Sequence, residues 1–84
     1  MDEHVFDVQG LPVVVTGDLL ADALAQLPEG KRDVILPSYF LGMTDREISY
    51  KLNIGHQTVS KRRLTTLKEL REYLRKEGFE WPDK

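Results

Sequence analysis

The chain has no cysteine. That excludes a disulfide framework, a thiolate metal site and a thiol nucleophile. Its two histidines, His4 and His56, stand far apart and suggest no metal site. No cofactor is expected. No stretch approaches the roughly 18 apolar residues of a membrane span. The N-terminus lacks the basic, apolar, small-residue order of a secretory signal. A cytoplasmic protein with no membrane partner is therefore the expectation. A Gly-rich phosphate loop, HExxH and G-x-S-x-G are all missing. The carboxylates are scattered over predicted helix surfaces, so the chain is not expected to be an enzyme. Eighty-four residues allow one small domain with a modest core. A monomer or weak homodimer fits that size.

What is present is a charge asymmetry. The net charge is −2, but residues 1–43 hold seven acidic and two basic side chains, whereas residues 44–77 hold nine basic and five acidic. The C-terminal half can thus offer a basic face to phosphates. The acidic half can orient the molecule or meet a basic partner.

The stretch Thr44 to Leu70, TDREISYKLNIGHQTVSKRRLTTLKEL, organises the rest. Thr44 and Glu47 form a T-x-x-E capping box that starts a short helix at Asp45. Ile48 and Leu52 share one face of it. Asn53 and Gly55 tolerate the backbone of a tight turn, and Ile54 between them can point to the core. A second helix starts near His56, with Val59, Leu67, Leu70 and Leu74 facing inward. A capped helix, a tight turn and a longer basic helix make a helix-turn-helix layout. With Val59 inward, a step of about 100° per residue puts Gln57, Lys61 and Lys68 on the opposite face. Ser60 and Thr65 flank it. Such side chains read base edges or hold phosphates. Asp45 and Glu47 have a sufficient explanation at the helix start, where acidic groups suit the N-terminal dipole.

Four helices are predicted, over 18–27, 29–41, 45–52 and 56–76. Thr16 or Asp18 can cap the first, with Leu20, Leu24 and Leu27 on one face. Pro28 ends it. Pro37 predicts a kink in the second, because its ring crowds the Asp33 carbonyl. Gly42 ends that helix, and Met43 can staple the next. Ahead of them, Val5–Val8 and Val13–Thr16 surround Gln9-Gly10 and predict a short hairpin, either an apolar lid on the core or a strand for dimerisation or docking, the lid being favoured. Pro12 places its strand at an edge or a strand start. Phe79 and Trp81 form an apolar tail that folds back or binds a partner. The organisation is thus an N-terminal segment 1–17, a helical domain 18–77 and a tail 78–84. The fold class is mainly α.

The run Leu20 to Leu74 resembles region 4 of bacterial sigma factors. The match is carried by A-L-x-x-L-P at Ala23–Pro28, K-R-x-V-I-L at Lys31–Leu36 and Y-F-L-G-M-T-D-R-E-I at Tyr39–Ile48. T-V-S at Thr58–Ser60 and L-K-E-L-R at Leu67–Arg71 continue it. The chain also resembles short region-4-like proteins encoded on conjugative elements of Gram-positive bacteria. Asn53, Gly55 and Pro37 depart from the common pattern. The resemblance implies a DNA-binding transcription factor that recognises an upstream promoter element and contacts RNA polymerase. Base contacts are expected from Gln57, Ser60 and Lys61, which project away from Val59 near the start of the second helix, and from His56, a surface polar residue at that start. Phosphate contacts are expected from Thr44, Arg46, Lys51, Thr58, Arg62, Arg63 and Lys68. Arg63 turns toward the core edge, where its stem can pack and its head snorkel. The promoter-melting sigma regions are not in these residues, so a regulator or half of a split factor is expected. Two other readings stand beside it. One is a protein-interaction module for polymerase or a sigma factor; the other is a dimeric repressor or accessory factor.

Overall fold

Alternation decides the N-terminal stretch. In the computed structural model, which describes residues 3–78, strands β1 (Glu3–Val8) and β2 (Leu11–Thr16) pair antiparallel, with Val8 opposite Leu11. Gln9 and Gly10 both take positive φ, 52° and 86°, as a two-residue hairpin turn of the right twist requires. The strands are longer than the sequence reading by two residues each, but the turn is where Gly10 put it. Val8, Val13 and Val15 are buried, while Glu3, Val5, Asp7, Pro12, Val14 and Thr16 are exposed. The hairpin is thus a lid with one apolar face on the helices.

Helix α1 (Asp18–Ala25) follows, then α2 (Glu29–Phe40). The cap expected at the start of α1 is not formed by Thr16 or Asp18. Gly17 is the N-cap, at φ 109°, with no side-chain cap. Asp18 turns instead to the hairpin, its Oδ1 2.8 Å from His4 Nε2. At the other end α1 stops at Ala25, two residues early, and the Leu27 amide donates to the Leu24 carbonyl in a tighter turn. Helix α2 runs through Pro37, which is buried, and continues to Phe40. The Pro37 carbonyl accepts from Leu41 N (3.2 Å) and Met43 N (3.1 Å) and so ends the helix. Gly42, at φ 68°, lets the chain turn there.

Two neighbouring side chains of α2 lock these elements to the hairpin. Arg32 donates to the Leu27 carbonyl at 3.0 Å, and its guanidinium lies 5.8 Å from the Phe6 ring centroid. Asp33 is buried under the hairpin turn and hydrogen-bonded by Gln9; burial, then Glu29, push its carboxyl above the ordinary range.

Helices α3 (Asp45–Leu52) and α4 (His56–Lys76) complete the fold. The core has two parts. The larger joins Val8, Val13 and Val15 to Leu24, Ile35, Leu36, Leu70 and Leu74. The smaller joins Val34, Ile48 and Val59, with Met43, Leu52 and Ile54 packed against it. Helices α2 and α4 contribute to both, so burial of their Leu, Ile and Val side chains, about 1.5–3 kcal/mol each, ties the two parts together. Among the described residues no helix is long and apolar enough to cross a membrane. Phe79 and Trp81 lie outside the described residues.

Candidate nucleic-acid interface

The turn between α3 and α4 is built from local chemistry. Thr44 Oγ1 accepts from the Glu47 amide at 3.1 Å, and Glu47 Oε1 accepts from the Thr44 amide at 2.8 Å. This reciprocal box satisfies two amides at the start of α3. Met43 and Ile48, either side of it, pack in the same cluster as a staple. At the other end Asn53 is left-handed, at φ 58° and ψ 46°. The Ile54 amide then reaches back to the Ser49 carbonyl at 3.1 Å. That six-to-one bond closes the helix end, and Ile54 drops onto Ile48 and Val59. Gly55 is the N-cap of α4 in extended conformation and offers no side-chain acceptor.

Two further contacts set how α4 lies. Arg63 Nε donates to Asp45 Oδ1 at 2.8 Å and Arg63 Nη2 to Asp45 Oδ2 at 2.9 Å. This fork joins the first turn of α3 to the second turn of α4. The Arg63 hydrogen bond holds the Asp45 carboxyl below its usual range, and Asp45 in turn raises the Arg63 guanidinium. Lys31 Nζ, on α2, sits 2.8 Å from both carboxylate oxygens of Glu69 on α4. Around these anchors the inward face of α4 is fixed by burial of Val59, Thr66, Leu70 and Leu74.

The outward face then follows. His56, Gln57, Thr58 and Lys61 are exposed. So are Lys68 and Arg75. Lys61, Lys68 and Arg75 stand seven residues apart, two turns each, and form a stripe with steps of about 10 Å. Arg46, on α3, is exposed as well, and Lys51 is half-buried.

Other expected site residues have prior engagements. Ser60 is half-buried, 3.5 Å from Arg63 Nη2, and also hydrogen-bonds Asp45. The Thr44 hydroxyl serves the cap. Arg62 is half-buried, its Nη1 3.5 Å from the Gly30 carbonyl. Arg63 is drawn inward to Asp45, only about 40° of helix from Val59, which places its head in an ion pair rather than on the open stripe. Asp45, explained locally from sequence, is thus also a long-range partner.

Three residues of this surface were not singled out from sequence. Leu64 is 58% exposed and Tyr50 79% exposed, both large apolar groups beside the basic side chains. Leu64 falls on the wheel about 20° from Gln57 and about 40° from Lys68, so its position was available there, but an apolar residue carries no signal among polar readers. Arg75 is the third; its seven-residue spacing from Lys68 was the signal.

The arrangement offers a positively charged helix face with polar tips and a fixed back, suited to a groove lined with phosphates. Among the described residues there is no cluster of ligands for a metal. No curated protein matches the chain. The family described as sigma-70, region 4, a family of DNA-binding regulatory domains rather than enzymes, matches residues 17–70. The match covers α1, α2, α3 and most of α4, so the chain belongs to the sigma-70 region 4 family.

Proposed function

We propose that the protein binds double-stranded DNA with α4 in the major groove and regulates transcription at promoter-like sites. The observation that carries this reading is the exposed Gln57–Lys61–Lys68 stripe on a helix whose opposite face is locked by Val59, Leu70 and Leu74. An α-helix fits the roughly 12 Å width of the major groove, and Gln and Lys can read base edges there. His56, Gln57 and Lys61, near the N-terminus of α4, approach the bases, with Ser60 at the margin. Arg46, Lys51, Thr58 and Lys68 meet phosphates, and Arg75 extends that line. Thr44 and Arg62 contribute by the backbone and the edge of the groove. Leu64, among them, suits a thymine methyl, the one apolar feature of the major groove.

Region 4 domains bind DNA and RNA polymerase. Polymerase contact is the second half of the proposal, supported by the family alone. The resemblance to short conjugative-element proteins supports a role in regulating such an element. The test is selection of bound sequences from random DNA, with and without polymerase. Enrichment of one motif by the protein alone supports direct readout. Enrichment only with polymerase favours the protein-interaction reading. A footprint with half-sites one helical turn apart indicates a dimeric repressor instead.

A further inference from the structure

The two-stranded sheet leaves β1 with a single neighbour, so its other edge is open. The register decides what lies along it. Val8 with Leu11, Phe6 with Val13 and His4 with Val15 are the hydrogen-bonded pairs counted from the two-residue turn. The backbone groups of Glu3, Val5 and Asp7 therefore point away from β2. No backbone bond from another described segment reaches them. The side chains of the same three residues lie together on the solvent face. Val5 is 67% exposed, beside its cross-strand partner Val14 at 53%.

The other edge is different. Pro12 stands opposite Asp7, at a position whose N–H would point outward from β2. Proline has none, so that edge lacks a donor and is blunted. The asymmetry leaves one usable edge, patterned acid–valine–acid. A second copy fits it poorly. In the fully overlapped twofold pairing of two β1 strands, Glu3 of each faces Asp7 of the other, and like charges directly opposite destabilise a sheet.

We propose that β1 is a docking edge for an extended segment of a partner protein with basic–apolar–basic alternation, which adds as a third strand. Its backbone exchanges hydrogen bonds with Glu3, Val5 and Asp7. Its basic side chains face Glu3 and Asp7, and its central apolar side chain covers Val5 and Val14. Backbone pairing supplies affinity and the alternating side chains supply selectivity. The proposal does not rest on the DNA-binding reading, because the edge belongs to the hairpin and not to α4.

The probe is a capped heptapeptide, Thr-Lys-Thr-Val-Thr-Lys-Thr, titrated into the isotope-labelled full chain. Its control has Glu in place of both Lys. The expected result is slowed amide exchange at Val5 and Asp7 and a preference for the basic peptide of about tenfold or more at low salt. Val5→Pro removes one outward donor and spares the β1–β2 ladder, as Pro12 does on the other strand. It should weaken the basic peptide about tenfold while leaving α4 resonances in place. Should Val5→Pro disturb the hairpin, Glu3→Lys still decides: it should erase or reverse the preference between the peptides. Equal binding of both peptides, unchanged Val5 and Asp7 amides at saturation, or self-association of the chain through β1 would each overturn the proposal.

Discussion

Asp45 and Arg63 face each other through two parallel hydrogen bonds, 2.8 and 2.9 Å long, across 18 residues of chain. The pair clamps the start of α3 to α4 beside the turn. Both side chains are under a third exposed, so screening is incomplete. A bidentate fork of this kind is stronger than an ordinary surface pair.

Arg63→Ala is expected to destabilise the fold by about 1 kcal/mol at neutral pH. The pH dependence has a definite sign. The folded pKa of Asp45 is depressed by the Arg63 hydrogen bond. Its contribution is therefore fully present above the unfolded carboxylate value and lost as pH falls through the folded one. Urea unfolding at neutral and at strongly acidic pH should show the gap between wild type and Arg63→Ala closing in acid. A gap that persists with Asp45 protonated would mean that Arg63 acts by packing of its stem.

Thr66 is fully buried on the inner face of α4, and its hydroxyl has no hydrogen-bond partner among the described residues. An unpaired buried hydroxyl costs about 1–3 kcal/mol of desolvation. Thr66→Val keeps the shape and replaces the hydroxyl by a methyl. It should raise the unfolding free energy by about 1 kcal/mol, read as a higher urea midpoint at unchanged slope. A loss of stability would place an ordered water on the Thr66 hydroxyl.

The elements that were legible in the sequence are those whose cause is local. The Thr44–Glu47 box, the left-handed Asn53 and the Gln9-Gly10 turn each depend on residues within a few positions. Each is found where those residues stand. The inward set of α4 was legible only in part. Val59, Leu70 and Leu74 announce themselves as apolar, but Thr66 does not, although it is as buried as they are. Long-range partners were not legible. Asp45 had an adequate local explanation at a helix start, and nothing in its neighbourhood points to a residue 18 positions away. The same holds for Lys31 with Glu69, which join α2 to α4. At Pro37 the sequence suggested a local distortion, and what it did not show is that the helix continues to Phe40 and that the Pro37 carbonyl is the acceptor that ends it.

The proposed DNA face separates readers from holders. Gln57→Ala should cost about 1–3 kcal/mol on the selected site and relax the preference at one base pair. Lys68→Ala should weaken all sequences alike and reduce the slope of log affinity against log salt by about one unit. Competition binding over a salt series measures both. Unchanged binding in both variants would remove α4 from the interface.

Leu64 supplies a sharper test, because its contact has a chemical signature. An exposed leucine by itself is ordinary. Its place between Gln57 and Lys68 on the stripe makes it specific, since the thymine methyl is the apolar group that the major groove presents. Deoxyuridine in place of thymine removes that methyl and leaves base pairing intact. Scanning the selected site with single deoxyuridines should find one position where wild-type affinity falls severalfold. In Leu64→Ala the overall affinity should be lower, and that same position should no longer respond. A Leu64→Ala protein that keeps the wild-type deoxyuridine profile would assign the methyl contact to another side chain. If no thymine responds in either protein, Leu64 lies outside the groove, while the Gln57 and Lys68 results still decide whether α4 is in it.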